Sequence, residues 1–160
     1  MQVILNLSDL DRCEQKLKAI NSIINTAPLM QEIANYLYNI AKDSFDYEQA
    51  PNGTPWQELS SSTLKAKATS KILYNSGSMQ NALTFRSTNN SAIVELSITN
   101  NKGFPYACIH QFGASNIGKN KNIKIPARPF LPIDKKGVIY KDVKDEILNI
   151  AVDFIKNALK

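Results

Sequence analysis

The stretch Ile125-Pro126-Ala127-Arg128-Pro129-Phe130-Leu131-Pro132 limits what this chain can fold into more than any other. Each proline fixes φ at about −65° and removes a backbone donor. Each also biases the residue before it away from helix. The segment is therefore extended, and a stiff arm of this kind loses little entropy on docking. Arg128 suits pairing with a carboxylate, on its own chain or a neighbour's, and Phe130 suits an anchor. The same pattern also fits an internal strand with its own salt bridge. Both readings stay open from the residues alone.

Around the arm, apolar spacing predicts helices toward both ends and strands between them. Val3, Leu5 and Leu7 alternate as in a short first strand. Leu10, Cys13, Leu17, Ile20 and Ile24 recur at helical spacing after the caps Ser8 or Asp9. Pro28 suits the first turn of a second helix, whose face carries Leu29, Ile33, Leu37, Ile40, Ala41 and Phe45. Pro51-Asn52-Gly53-Thr54-Pro55 reads as an irregular turn, with Trp56 after it as a core anchor. Ser60, Ser61 and Ser62 offer caps for a short helix, and Met79, Ala82 and Leu83 suggest another turn. Residues 85–87 and 92–98 read as strands joined at Thr88-Asn89-Asn90. Residues 106–113 fit either a strand or a short helix, and Gly113 permits the turn that follows. Residues 114–124 read as a mobile basic loop. A final helix over about 140–159 carries an apolar arc of about 200°, far wider than the stripe of a surface helix. Two-sided burial within the domain, or burial against a second subunit, accounts for that width. The expectation is α+β: one domain over 1–160, with N- and C-terminal helices packed on a small antiparallel sheet.

Charge is distributed unevenly. Residues 1–59 hold four Lys/Arg and eight Asp/Glu, whereas residues 60–133 hold nine Lys/Arg and one acid, Glu95. A basic stretch of this kind raises the local concentration of acidic partners or nucleic acid. Lys119, Lys121, Lys124 and Arg128 suit phosphate contacts without sequence readout. The plain alternative is a solvated lysine-rich surface. Asp43, Asp46 and Glu48 close the second helix, as a solvated turn or as partners for the basic stretch. No apolar run approaches the roughly 20 residues that span a bilayer. The N-terminus has no basic start or small-residue cleavage site, so cytoplasmic synthesis and no membrane partner are expected.

Catalytic motifs are weak. Gly113-Ala-Ser-Asn-Ile-Gly118-Lys119-Asn120 follows the phosphate-loop pattern until Asn120 replaces the Mg²⁺-binding hydroxyl. It also runs toward Pro126 rather than into a helix. Cys108 and His110 would share a face on a strand, but about 7 Å apart and with no orienting third group. A packed histidine beside a buried thiol is the simpler account. The only cysteines are Cys13 and Cys108, and there is one histidine, too few for a Cys/His zinc site. No catalytic residue, cofactor or metal is expected.

Four motifs, in order, carry a resemblance. They are Pro51-Asn-Gly-Thr-Pro-Trp56, Lys71-Ile-Leu73 leading to Ser76-Gly77, Tyr106-Ala-Cys-Ile-His-Gln-Phe-Gly113, and Ile125-Pro-Ala-Arg-Pro-Phe-Leu131. Together they resemble the phage virion morphogenesis family, the tail-completion proteins of Mu-like and related contractile-tailed phages. Two departures are Lys135-Lys136-Gly137, where an acid-rich helix start is common, and Cys108, where alanine is more usual. The resemblance implies a non-enzymatic role in tail completion or head–tail joining. It implies phage tail or neck proteins as partners, and a ring of copies meeting head-to-tail through two complementary patches. It places the protein in the host cytoplasm during assembly and then in the virion tail or neck. Candidate contact residues are Trp56, His110, Gln111, Phe112, Lys119, Lys121, Lys124, Arg128 and Phe130. The alternative is a basic protein of a prophage that touches DNA.

Overall fold

The structure is a computed structural model that describes residues 25–118 and 122–158. The strand expected at Val3–Leu7 and the helix expected over residues 10–24 lie outside the described residues. So do Lys119 and Lys121.

Helix α1 spans Ala27–Tyr47, with proline in its first turn, where the missing N–H costs nothing. Leu29, Ile33, Ala34, Ala41, Ser44 and Phe45 form its buried face. It ends at Glu48, a non-glycine residue at φ 55°. Two bonds repay this left-handed backbone. The carbonyl of Glu48 accepts from the Trp56 amide at 2.9 Å, and its Oε1 accepts from the Ile72 amide at 2.6 Å. Glu48 is thus no solvated turn residue: it ties three segments together, and its charge also acts on Lys67 of the basic stretch. Asp46 does meet the basic stretch, lying 3.8 Å from Lys71.

The Asn52-Gly53 turn closes on itself through Ala50 and Thr54 and delivers Trp56 into the core. Helix α2 (Ser61–Ala66) is capped by the Ser60 hydroxyl, which accepts from the Thr63 amide. A single turn, α3 (Ser78–Asn81), leads into β1 (Leu83–Ser87), which pairs antiparallel with β2 (Ala92–Leu96). Phe85 stands opposite Val94, and its ring meets Tyr38 of α1 at 5.0 Å.

The segment 106–113 resolves as a helix, α4 (Tyr106–Phe112), closed by Gly113. Residues 114–124 are not a plain loop. They begin with β3 (Ala114–Ile117) and end in β4 (Ile123–Ile125), an irregular antiparallel pair. Sequence periodicity missed it because Asn116, at φ 58°, breaks the alternation within β3. Among the described residues the sheet structure is therefore two separate two-stranded ribbons. After the arm, Asp134 accepts from the amides of Lys136 and Val138, closing a turn before α5 (Lys141–Ala158). α5 packs against α1. The class is α+β, as expected.

The core forms where α1, Trp56 and the arm converge. Phe45 and Phe130 are each 1% exposed. Their rings stack at 5.1 Å, and Trp56 meets Phe45 edge-on at 5.8 Å. Truncating a buried aromatic loses its transfer energy and leaves a cavity. Phe130→Ala is expected to lower unfolding free energy by roughly 3–5 kcal/mol; chemical denaturation with an unchanged m-value would measure it.

Candidate interaction surface

The proline arm is latched to the chain on both sides. From α4, the Gln111 side chain makes four bonds to it. Its Oε1 accepts from the amides of Phe130 and Leu131, each at 3.0 Å. Its Nε2 donates to the carbonyls of Leu131 at 2.9 Å and Ile133 at 3.3 Å. Proline leaves the arm few donors, and one buried amide serves two of those that remain. The Arg128 amide donates to the His110 carbonyl at 2.7 Å. From the other side, Trp56 Nε1 donates to the Pro129 carbonyl at 2.8 Å. Gly113, at φ 69°, lets α4 and the arm approach: a Cβ there would lie 2.8 Å from the Ala127 nitrogen.

Arg128 is buried, yet no carboxylate lies within ion-pair distance among the described residues. Its Nε and Nη2 donate to the Gln57 carbonyl at 3.0 and 2.8 Å, and Nη2 also to the Glu58 carbonyl at 3.2 Å. The structural salt bridge allowed by the sequence is thus replaced by backbone dipoles. The arm is internal for Arg128 and Phe130, but one side of it borders an open groove.

That groove has a volume of about 1110 Å³. It runs between residues 57–63, the turn at 73–79, α4 and the segment 123–128. Tyr106, His110 and Arg128 line one wall, with Lys67 and Lys124 also bordering the space. Burial pushes the Arg128 guanidinium below its ordinary range. Burial, then the charge of Arg128, pushes His110 down. Lys67 is lowered by burial; Glu48 opposes this, and Arg128 adds to it. Burial is the largest cause of all three shifts, and Glu58 is an acid of the lining. His110 Nδ1 is buried and has no hydrogen-bond partner among the described residues.

The candidate residues therefore divide. His110, Lys124 and Arg128 meet at the groove. Trp56, Gln111 and Phe130 are buried in the latch beneath it, and Phe112 is half-buried at the end of α4. Cys108 is exposed, so the packed histidine has no buried thiol beside it. On a helix the two side chains diverge by about 200° instead of sharing a face. Sequence reasoning missed Lys67, Tyr74 and Tyr106. For Tyr106 the signal was its four-residue spacing from His110, which pairs them only on a helix; their rings lie edge-on at 6.2 Å. Among the described residues, no cluster of three His, Cys, Asp or Glu could hold a metal. None of their helices is long and apolar enough to cross a membrane.

Replacing Gln111 by Leu leaves the buried Phe130 amide and the part-buried Leu131 amide without this partner. A cost of roughly 2–6 kcal/mol in unfolding free energy is expected, at about 1–3 kcal/mol per orphaned group. His110 predicts a pH effect. Its folded pKa lies below the unfolded value of 6.5, so in between only the unfolded chain binds the proton. Stability is expected to fall as pH drops through about 6.5 and to level off below the folded value. Denaturation midpoints of wild type and His110→Gln, compared between about pH 7.5 and 5.5, should diverge in slope; parallel curves would refute this.

Comparison with known proteins agrees with the motif order. The phage virion morphogenesis family model matches residues 5–155. The chain is 29% identical over 136 residues to Mu-like prophage FluMu G protein 1 of Haemophilus influenzae, covering 81% of this chain and 84% of that one. It is 32% identical over 122 residues to Mu-like prophage FluMu G protein 2 of the same organism, covering 74% and 76%. No solved structure matches. With the match running through α1, the latch, the arm and most of α5, the chain belongs to the phage virion morphogenesis family.

Proposed function

We propose that this protein acts in tail completion or head–tail joining, without catalysis, through contacts with phage tail or neck proteins. It would work in the host cytoplasm during assembly and remain at the tail or neck of the virion. Family membership supports an assembly role. The observation that carries the finer reading is the latched arm. Trp56, Gln111, Gly113, Arg128 and Phe130, drawn from three separated motifs, build one rigid wall beside an open groove. Pre-ordered surfaces of this kind favour protein docking, because little entropy is lost on binding.

The basic-protein alternative has fewer free cations than the sequence offers. Lys71 lies beside Asp46 and Arg86 beside Glu95. Non-specific DNA binding needs several unpaired cations along one face.

Electron microscopy of induced lysates lacking this gene tests the proposal. Filled heads beside separate, normal-looking tails are expected. Intact infectious particles would reject an essential assembly role, and salt-sensitive DNA binding would then favour the alternative.

A further inference from the structure

Arg128 reaches the groove with donors to spare. The residue is 6% exposed, and its Nε and Nη2 are spent on the carbonyls of Gln57 and Glu58. Nη1 makes no hydrogen bond to the described residues, yet it is not among their buried atoms without a partner. It is therefore open, and the surface that Arg128 lines is the groove. A guanidinium fixed in this way is pre-aimed, with little rotamer freedom left to lose on binding. Its carbonyl acceptors orient it but bring it no net charge.

The rest of the lining favours an anion with an apolar body. Its cations are Lys67, Lys124 and Arg128, and its acid is Glu58. Among the described residues none of these four forms an ion pair. Tyr74 and Ile123 present apolar surface, at 37% and 51% exposure. Charge-assisted hydrogen bonds are roughly twice as strong as neutral ones, so a carboxylate gains more here than an amide. Shape narrows the choice of molecule further. The guanidinium lies below the surface, where a carboxylate on a flexible side chain can reach it. A DNA duplex carries its phosphates on a broad, rigid surface and cannot bring one down to it. The volume of about 1110 Å³ slightly exceeds the roughly 300–1,000 Å³ of small-ligand sites, which suits a short length of extended chain.

We propose that the groove is a carboxylate-recognition site for an extended acidic segment of a partner protein. An aspartate or glutamate side chain of that segment reaches Arg128 Nη1, with Lys124 exposed at the border to attract it. Apolar side chains of the segment lie on Tyr74 and Ile123. That the partner is a tail or neck protein rests on the proposed function; the preference for a carboxylate rests on the groove alone. Burial, and then the charge of Arg128, keep His110 below its ordinary range. A carboxylate beside Arg128 offsets the second of these causes, so His110 reports occupancy.

His110 is the one histidine of the chain, so its ring protons give a single set of NMR signals from the groove wall. Titration of the full chain with the blocked tripeptide acetyl-leucyl-glutamyl-leucine amide should shift these signals saturably. It should also raise the midpoint of the histidine's pH titration. The glutaminyl counterpart should bind roughly tenfold more weakly, the loss of one bond to a charged group. Lys124→Glu, at an exposed site, should weaken the glutamyl peptide about threefold with an unchanged melting curve. Lys136→Glu, exposed outside the groove, should leave binding as it is. Equal affinity for the two peptides, no saturable shift with the glutamyl one, or indifference to Lys124→Glu would overturn the proposal. Displacement of the glutamyl peptide by duplex DNA, read at the same signals, would also overturn it and favour phosphate contact. The lysate phenotype is read separately: separated heads and tails without peptide binding would keep the assembly role and remove only the chemistry assigned to the groove.

Discussion

The amide of Gln111 is the constraint on which the rest depends. A proline-rich segment cannot satisfy itself in a ladder, so it must find partners elsewhere or stay in water. Gln111 provides two acceptor and two donor contacts from one side chain. This bond set lets Phe130 enter the core, and Phe130 in turn fixes Phe45 and Trp56. Gly113 makes the approach possible by placing no Cβ between α4 and Ala127. The motifs at 51–56, 106–113 and 125–131 are thus parts of one joint.

Arg128 shows how that joint affects the surface. A buried charge is costly unless paired or well hydrogen-bonded. Here the carbonyls of Gln57 and Glu58 supply the bonds, which orients the guanidinium, and among the described residues no carboxylate pairs with it. Its field reaches His110 and Lys67. The groove therefore inherits a positive character from a structural residue, in a place where the overall composition only suggested a basic surface.

Much of the frame was legible in the chain. Apolar spacing and Pro28 located α1, the serines at 60–62 capped α2, and alternation with a polar turn located β1 and β2. The final helix was found by its period. Proline restriction made the arm extended. These features are local, decided by a few residues and by backbone geometry. The arm's role was less legible: the same prolines fit an exposed hook and an internal strand, and only the bonds from Gln111 and Trp56 separate them.

Tertiary structure decided the rest. Residues 106–113 became a helix because Gln111 must face the arm while Tyr106 and His110 share a side; local propensity left strand and helix equal. The ribbon of β3 and β4 escaped notice because a positive φ at Asn116 breaks the two-residue period. Glu48 looked like a solvated acid until the Ile72 amide, 24 positions away, was found on its carboxylate. The sequence by itself determined α1, α2, the β1–β2 hairpin, α5, the stiffness of the arm and the family likeness. Only the fold decided which polar groups were paired across long separations, and hence which faces were left unsatisfied. The reason is that hydrogen-bond pairing and desolvation depend on neighbours in space, which spacing along the chain does not specify.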